Sequence, residues 1–166
     1  MTHSPPDIRL LVDAPEAIPL LAAALCAEWP EWYATPGGPS ADNDLRARCR
    51  RTGLPLGVVA VVDGETVGTA ALLAQSLESR HTLAPWLADL TPWLAGGYVL
   101  PAWRRRGIGA ALCEAVAAIA WREGHGVLHT ATSSADRLLL RLGWTEIDRV
   151  PPADDPIRVY RLARPS

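Results

Sequence analysis

The stretch WRRRGIGAAL, residues 103–112, combines residue types that could bind an anion. Three arginines and two glycines come directly before an alanine-rich apolar pattern that is typical of a helix. The first N–H groups of a helix lack intrahelical partners and give that end a partial positive charge, so arginine there is unfavourable unless an anion is bound. Because glycine has no side chain to keep a ligand off the backbone, the stretch predicts a pyrophosphate site.

This predicted site differs from the two common nucleotide-binding patterns. A Walker loop would need GxxxxGK followed by serine or threonine, and a dinucleotide loop would need GxGxxG. Here the glycines are spaced GxG and alanines follow them. The sequence therefore predicts an anion site of a different kind.

The elements around the loop predict how it is positioned. Residues 93–100 favour a strand, residues 107–123 a helix and residues 127–131 a second strand. Because a crossover helix joins the two strands, we expect a parallel pair with the loop at a strand's carboxyl end, where mixed sheets bind ligands. The apolar stripe of the helix consists of Ile108, Leu112, Ala115, Val116 and Ile119.

The rest of the chain completes the predicted order βααβββαβαββ. Asp13, with Glu16 three residues later, predicts a capping box that begins a helix ending near Glu28. Asp63-Gly64, between two β-branched runs, predicts a tight antiparallel hairpin. The remaining predicted elements are a strand at 7–12, helices at 41–51 and 134–142, and strands at 144–150 and 157–162.

Length and composition limit the class of protein. The chain has 166 residues, 49 % of them hydrophobic and 20 % charged, which predicts one globular domain over residues 1–166. No run approaches the roughly 18 apolar residues of a membrane span, and the first residues do not resemble an export signal, so we expect a cytoplasmic protein with no membrane partner. The net charge of −2 argues against nucleic acid as a partner. Cys26, Cys49 and Cys113 share no short window with a histidine, which predicts neither a disulfide nor a metal site.

The loop resembles the RxxGxG/A signature of the GCN5-related N-acetyltransferases (GNAT), matched here by Arg104, Gly107 and Gly109. The segment LLLRLGW is similar to the closing LGF or LGY segment of that family, and the order of elements is also that of the family. The resemblance implies the acyl-CoA N-acyltransferase fold: an α/β (α+β) domain with a mixed, mostly antiparallel six- to seven-stranded sheet and helices on both faces.

The resemblance also implies acetyl-CoA as cosubstrate, without a metal. In that family the fourth and fifth strands splay apart and the pantetheine arm hydrogen-bonds to the fourth. Gly96-Gly97 within the predicted strand fits such a bulge, although a glycine pair that only relieves crowding remains an alternative. The residues implied to bind the cofactor are Tyr98, Val99, Leu100, Arg104, Arg105, Arg106, Gly107, Ile108, Gly109, Ala110 and Thr132.

Two positions depart from the family pattern. Leu139 stands where many members have the tyrosine that protonates the departing thiolate, and Thr132 stands near the family's common asparagine. A thiolate can leave with water as proton donor, so we expect activity to be reduced rather than lost. Tyr98 is our first candidate for a substitute donor, followed by Ser133, Ser134 and Cys113.

The general base and the acceptor are left open by the sequence. Glu28 is our candidate base, together with Glu31, because both lie in the segment that lines the acceptor cleft in this family; a surface role for both is the alternative. His81 and His129 are more typical of structural histidines. The EWP segment is also similar to actin N-terminal acetyltransferases. This similarity implies that one of the arginines Arg46, Arg48, Arg50 and Arg51 binds an acidic acceptor. The alternative is that Glu28 and Glu31 attract a cationic amine.

The expected function is transfer of acetyl from acetyl-CoA to a primary amine of a small molecule or a peptide N-terminus, by direct attack. Direct transfer is expected because no cysteine or serine has a histidine and an acid at triad-like spacing. A non-catalytic acyl-CoA-binding sensor is the alternative. Trp86, Trp93 and Trp103 are interpreted as core, with a pocket wall or a homodimer surface as the other options.

Overall fold

The computed structural model describes residues 4–150 and 156–166, so residues 1–3 and 151–155 of the predicted domain lie outside the described part. Within that part, seven strands form one sheet in the order β1-β2-β3-β4-β5-β7-β6. The strands are β1 (Asp7–Leu10), β2 (Leu56–Val62), β3 (Glu65–Leu73), β4 (Trp93–Val99), β5 (Val127–Thr132), β6 (Thr145–Val150) and β7 (Ile157–Ala163). The helices are α1 (Ile18–Glu28), α2 (Pro30–Tyr33), α3 (Ala41–Ala47), α4 (Ile108–Arg122) and α5 (Asp136–Arg141).

The sheet is mixed, as predicted. Its neighbouring strands are antiparallel except for β4 and β5, which are parallel and joined by the crossover helix α4. The β2–β3 hairpin turns at Asp63 and Gly64, which have φ values of 49° and 84°. Two consecutive left-handed residues match the right-handed twist of paired strands, so the predicted tight turn is confirmed.

Helices cover both faces of the sheet, which confirms the predicted layering. On one face the stripe of α4 packs on the sheet in a cluster that includes Leu112, Val116 and Leu139 of α5. On the other face α1 and α3 pack on β2 through a cluster that includes Leu21, Leu45 and Val59. In the described residues no helix has the length and apolar character needed to cross a membrane.

The two faces are connected at one end of the molecule. The N–H of Gly53, in the loop after α3, donates to Oε2 of Glu123 at 3.1 Å, and Nη2 of Arg122 donates to the Arg51 carbonyl at 3.3 Å. Arg122 is the last residue of α4, and Glu123 follows it. The loop that follows α3 is therefore attached to the C-terminal end of α4.

The predicted capping box is wrong. Asp13 lies in a 3-10 turn (Leu11–Asp13), a second 3-10 turn follows at Pro15–Ala17, and α1 begins only at Ile18 without a side-chain cap. The cause is Pro15, which disfavours helical geometry at the preceding Ala14 (φ −140°, ψ 53°). The Asp13 carboxylate instead binds Arg51, with Nη2 and Oδ1 at 2.5 Å.

Several predicted boundaries also need correction. The first strand ends at Leu10 rather than residue 12, and α3 ends at Ala47 rather than residue 51. The segment expected to be a loop after α1 contains the four-residue helix α2. Trp93 is fully buried, which confirms that it belongs to the core. Trp86 and Trp103 are partly buried and pack against core clusters, and Trp103 also lines a surface cavity.

Candidate functional site

Strands β4 and β5 separate after a single pair of residues. Trp93 pairs with His129, the His129 N–H donates to the Pro92 carbonyl at 3.0 Å, and the Thr130 hydroxyl donates to the Leu94 carbonyl at 2.8 Å. Beyond Leu94 the described strands share no further ladder pair, while β5 continues to pair with β7 as far as Thr132. A gap therefore opens between the carboxyl-terminal halves of two parallel strands.

The strand beside this gap carries a bulge at the glycine pair. The register between β3 and β4 shifts there, and Gly96 adopts φ 62°, which side chains rarely tolerate. Gly97 is exposed, and a Cβ placed on it would meet nothing within 4 Å. The bulge predicted from the sequence is confirmed, and it leaves open space against the backbone of β4.

The predicted anion loop lies at the same end of β4. Gly107 is the N-cap of α4 with φ 79° and provides no side-chain cap, and Arg105 is also left-handed at φ 63°. The N–H of Ala111 donates to the Gly107 carbonyl at 3.1 Å and makes the first hydrogen bond of α4. Helix geometry therefore leaves the N–H groups of Ile108, Gly109 and Ala110 without intrahelical acceptors. No acidic residue lies in the first turn, so this end of the helix keeps its positive potential.

Two arginines of the loop, Arg104 and Arg106, contact the end of β4 and the loop itself. Arg104 donates from Nε to the Val99 carbonyl at 2.9 Å, and its guanidinium carbon lies 5.5 Å from the centre of the Tyr98 ring. Arg106 lies over the Trp103 ring at 4.9 Å. All three side chains, Arg105 included, are exposed. Since Arg104 binds the last residue of β4, the loop and the strand beside the gap are held together.

The gap and the loop fit an elongated ligand with a diphosphate. Near the end of β4 the chain provides three features in sequence order. These are open space at Gly97, a left-handed N-cap at Gly107 and free N–H groups at the start of α4. Val99 and Leu100 connect the two features. Gly109 is less constrained, because an added Cβ would only reach van der Waals contact with Leu138 at 3.5 Å.

Thr132, across the gap, stands near the position of the family's common asparagine, but its side chain bonds to the neighbouring backbone. Its hydroxyl oxygen accepts hydrogen bonds from the N–H groups of Ser134 and Ala135, at 3.0 and 2.8 Å. The side chain thus shapes the turn that leads into α5. The cofactor-binding residues predicted from the sequence remain a prediction, although the structure gathers them at one end of the sheet.

The position of the usual proton donor is a buried hydrophobic residue. Leu139 is 3 % exposed and packs in the core beneath α4. Cys113 is a poor source of a thiolate, because burial and the neighbouring Glu114 raise the pKa of its thiol to about 11. Tyr98 lies between Arg104 and Trp29, whose ring centre is 6.2 Å from that of Tyr98.

A cleft of about 710 Å³ lies on the face covered by α1 and α3. It reaches the bulge, since Gly96 lines it, and its acidic residues are Glu31, Asp44 and Glu78. Glu31 therefore lies in the cleft, whereas Glu28 is exposed and does not line it. The remaining lining residues are Trp29, Trp32, Tyr33, Pro39, Ala47, Arg48, Pro55, Leu73, Gln75, Ser76, Leu77 and Ser79.

Two groups in or near the cleft were missed by the sequence analysis. The Tyr33 hydroxyl donates to Oδ2 of Asp44 at 2.8 Å, and burial followed by this bond raises the tyrosine pKa to about 12. Asp44 and Arg48 are four residues apart, and this helical spacing could have indicated that both face the same side of α3. The cleft is assembled from α2, α3, the loop after β3 and the bulge, which only the fold brings together.

Of the two histidines considered in the sequence analysis, His129 is a buried structural residue, as expected. His129 is 4 % exposed, its Nδ1 lies 3.2 Å from the Pro92 carbonyl, and its ring lies 5.7 Å from that of Trp93. Burial lowers its pKa, so the ring is neutral. His81 contacts the Ser76 carbonyl through Nε2 at 3.0 Å. Among the described residues no three metal-ligating side chains cluster, and the absence of a metal requirement remains a prediction.

Comparison with known proteins supports this description. Residues 56–146, which include the hairpin, the bulge, the anion loop and α4, match the family model described as "Acetyltransferase (GNAT) domain". None of the curated protein sequences compared with this chain matches it significantly.

Solved structures share the fold over nearly the whole chain. An aminoglycoside 6'-N-acetyltransferase complexed with coenzyme A has a TM-score of 0.72 at 17 % identity, with 96 % of this chain and 99 % of that chain covered. The yncA protein of Salmonella typhimurium, solved with its cofactor acetyl-CoA, has a TM-score of 0.69 at 19 % identity, covering 96 % and 94 %. A GCN5-related N-acetyltransferase from Kribbella flavida has a TM-score of 0.69 at 21 % identity, covering 96 % and 98 %.

Proposed function

This chain belongs to the GNAT acetyltransferase family, and from that premise we propose that it transfers the acetyl group of acetyl-CoA directly to a primary amine. The acceptor is a small molecule or a peptide N-terminus that enters through the cleft lined by Glu31 and Gly96. The observation that carries the proposal is the gap between β4 and β5, which lies between the strand that reaches the cleft at Gly96 and the strand that follows the anion loop and α4.

The residues around the gap support a division of roles. The free N–H groups of Ile108, Gly109 and Ala110 would bind the diphosphate, with positive charge from the helix end and from Arg104, Arg105 and Arg106. The backbone of β4 at the bulge would polarise the thioester carbonyl by N–H donation. Most of the rate enhancement would then come from positioning the two reactants.

Transfer requires one proton to leave the amine and one to reach the thiolate. The amine nitrogen bonds to the thioester carbon as the carbon–sulfur bond breaks, and the sulfur leaves with the bonding electrons. Glu31 is better placed than Glu28 to accept the amine proton, directly or through water, because it lines the cleft. Tyr98 is the proposed donor to the thiolate, with water as the alternative route.

The cofactor site is tested by isothermal titration of acetyl-CoA into the wild type and an Arg104→Ala/Gly107→Glu variant. The variant removes a cation and places a carboxylate where the diphosphate would bind, so we expect affinity to fall more than about tenfold.

The matched control for this titration is Arg9→Ala/Gly64→Glu. Gly64 has φ 84° and Gly107 has φ 79°, and neither has an atom within 4 Å of an added Cβ, so both glutamates impose the same backbone strain. Arg9 is an exposed arginine paired with Asp7 on β1. Equal affinity in the site variant and the control would contradict the assignment of the loop.

A non-catalytic acyl-CoA-binding sensor is the second candidate function. The burial of Leu139 favours it, because the usual proton donor is replaced by a core residue. Thiol release measured with a panel of amines and peptide N-termini separates the two functions. Saturable binding of acetyl-CoA without turnover on any acceptor would support the sensor.

A further inference from the structure

The floor of the cleft contains a buried cation. Arg48, which directly follows α3, is 7 % exposed, and its Nη1 has no hydrogen-bond partner among the described residues. None of the ion pairs seen in that part of the chain involves Arg48. A buried guanidinium normally pairs with an anion, because its transfer out of water is otherwise uncompensated.

The guanidinium lies against the bulge of β4. A Cβ built on Gly96 would be 3.1 Å from Nη1 and 3.7 Å from both Cζ and Nη2 of Arg48. A side chain at position 96 would therefore press on the guanidinium, which would have to move by a few tenths of an ångström. Since the proposed function places the thioester beside this bulge, Arg48 lies next to the point where the acceptor amine must react.

Arg48 is held in this position by its surroundings. Its carbonyl accepts the Gly57 N–H at 2.9 Å, and its own Cβ is 3.0 Å from where a Cβ on Gly57 would lie. The side chain also lies near the Tyr33 hydroxyl, whose raised pKa it partly opposes. Neighbouring arginines differ, because Arg46 and Arg51 are exposed and paired with Asp42 and Asp13.

We infer that the acceptor carries a carboxylate next to its reacting amine and that Arg48 binds this carboxylate. The inference rests on the proposed function, which fixes where the amine reacts. A guanidinium with a free donor is suited to a carboxylate. Asp44, four residues before Arg48, accepts the Tyr33 hydroxyl and forms no ion pair with Arg48 among the described residues. The cleft acids Glu31, Asp44 and Glu78 favour the ammonium form of the same molecule during entry. The substrate class is therefore an amino carboxylate of the amino-acid type.

The inference is tested by calorimetric binding to the protein saturated with coenzyme A. The probes are free amino acids, including glycine, alanine, aspartate and glutamate, each compared with its α-carboxamide. We expect the wild type to bind at least one free acid about 10- to 100-fold more tightly than its amide, as a charge-assisted hydrogen bond provides. Arg48→Gln should abolish this preference while the affinity for acetyl-CoA is unchanged.

Two further variants keep the test decisive. Arg46→Gln removes an exposed cation from the same helix and should retain the preference. Arg48→Lys keeps the charge with fewer donors and should reduce the preference only in part, which also covers the case in which Arg48→Gln does not fold. Equal binding of acids and amides across the series, or a preference that survives Arg48→Gln, would overturn the inference.

Failure of this inference is distinguishable from failure of the proposed function. A carboxylate preference that depends on Arg48, without acetylation of any amine, would leave the Arg48 site intact and remove the transferase assignment. Acetylation of amines and their carboxylated analogues with equal kcat/KM would keep the transferase and remove the role of Arg48. Preference for a peptide with a neutral first residue over free amino acids would also overturn it, because that acceptor has no carboxylate next to its amine.

Discussion

At the scale of single residues, the two glutamates near the end of α1 differ in position, because one lies in the cleft and the other on the surface. Glu31 lines the cleft and Glu28 does not, although both were candidates from the sequence. Periodicity cannot distinguish them, because the short helix α2 between Trp29 and Ala34 decides which of the two turns inward.

Substitution of each glutamate tests which one accepts the proton. We expect Glu31→Gln to lower kcat at neutral pH by about 10²- to 10⁴-fold, the usual contribution of a general base. Glu28→Gln should leave kcat within about twofold of the wild type. Steady-state kinetics over a range of pH measure both, and a loss confined to Glu28→Gln would restore the original candidate.

Among buried polar residues, His129 links stability to pH. Its pKa is lowered by burial from the ordinary 6.5, so the unfolded chain binds a proton at a higher pH than the folded chain. The contribution of His129 to stability therefore falls as pH drops below about 6.5 and is constant above that pH.

The pH dependence is measured by thermal unfolding between pH 5 and pH 8. The wild type should lose more Tm between pH 7 and pH 5 than a His129→Asn variant, whose side chain does not titrate. His125→Asn, in the partly exposed turn after α4, is the matched substitution outside the buried core. An identical slope in the wild type and His129→Asn would show that His129 does not carry this dependence.

At the scale of elements, the bulge of β4 tests whether the two adjacent glycines have different roles. Gly96 has φ 62° and faces Arg48, whereas a Cβ on Gly97 would enter open space. Gly96→Ala should lower the free energy of unfolding by about 1–2 kcal/mol, the cost of a left-handed alanine, before any displacement of Arg48 is added.

Gly97→Ala is the partner measurement for this prediction. It should change stability little and weaken acetyl-CoA binding, because the added methyl group lies on the open side of the strand where a ligand would approach. Chemical unfolding and calorimetry distinguish the two effects. The same stability loss in both variants would mean that the bulge has no positional requirement for glycine at 96.

The elements that the sequence predicted well are the ones specified locally. Asp63-Gly64 determines its turn, and the stripe of α4 with its basic last turn determines that helix. The start of α1 was wrong because Pro15 acts through the geometry of Ala14, which outweighed the Asp13 and Glu16 pattern. The anion loop was predictable because its glycines and its helix are contiguous in the chain.

At the scale of the whole molecule, the acceptor cleft could not be predicted from local patterns. Its walls come from residues 29–55, 73–79 and 96, which are far apart in the chain and meet only in the folded sheet. Arg48 appeared in the sequence as one of several arginines near the end of a helix. Only burial distinguishes it from Arg46 and Arg51, which form exposed ion pairs.

The single pair between β4 and β5 has a consequence for the molecule as a whole. Strands β1 to β4 and strands β5 to β7 form two hydrogen-bonded halves that meet at one rung, with α4 packed across the seam. A ligand that bonds to the open edge of β4 supplies rungs that the polypeptide leaves out. By mass action, a ligand present at 100 times its Kd would add about 2.7 kcal/mol to the native state, so such a ligand would stabilise the junction of the two halves together with the rest of the fold.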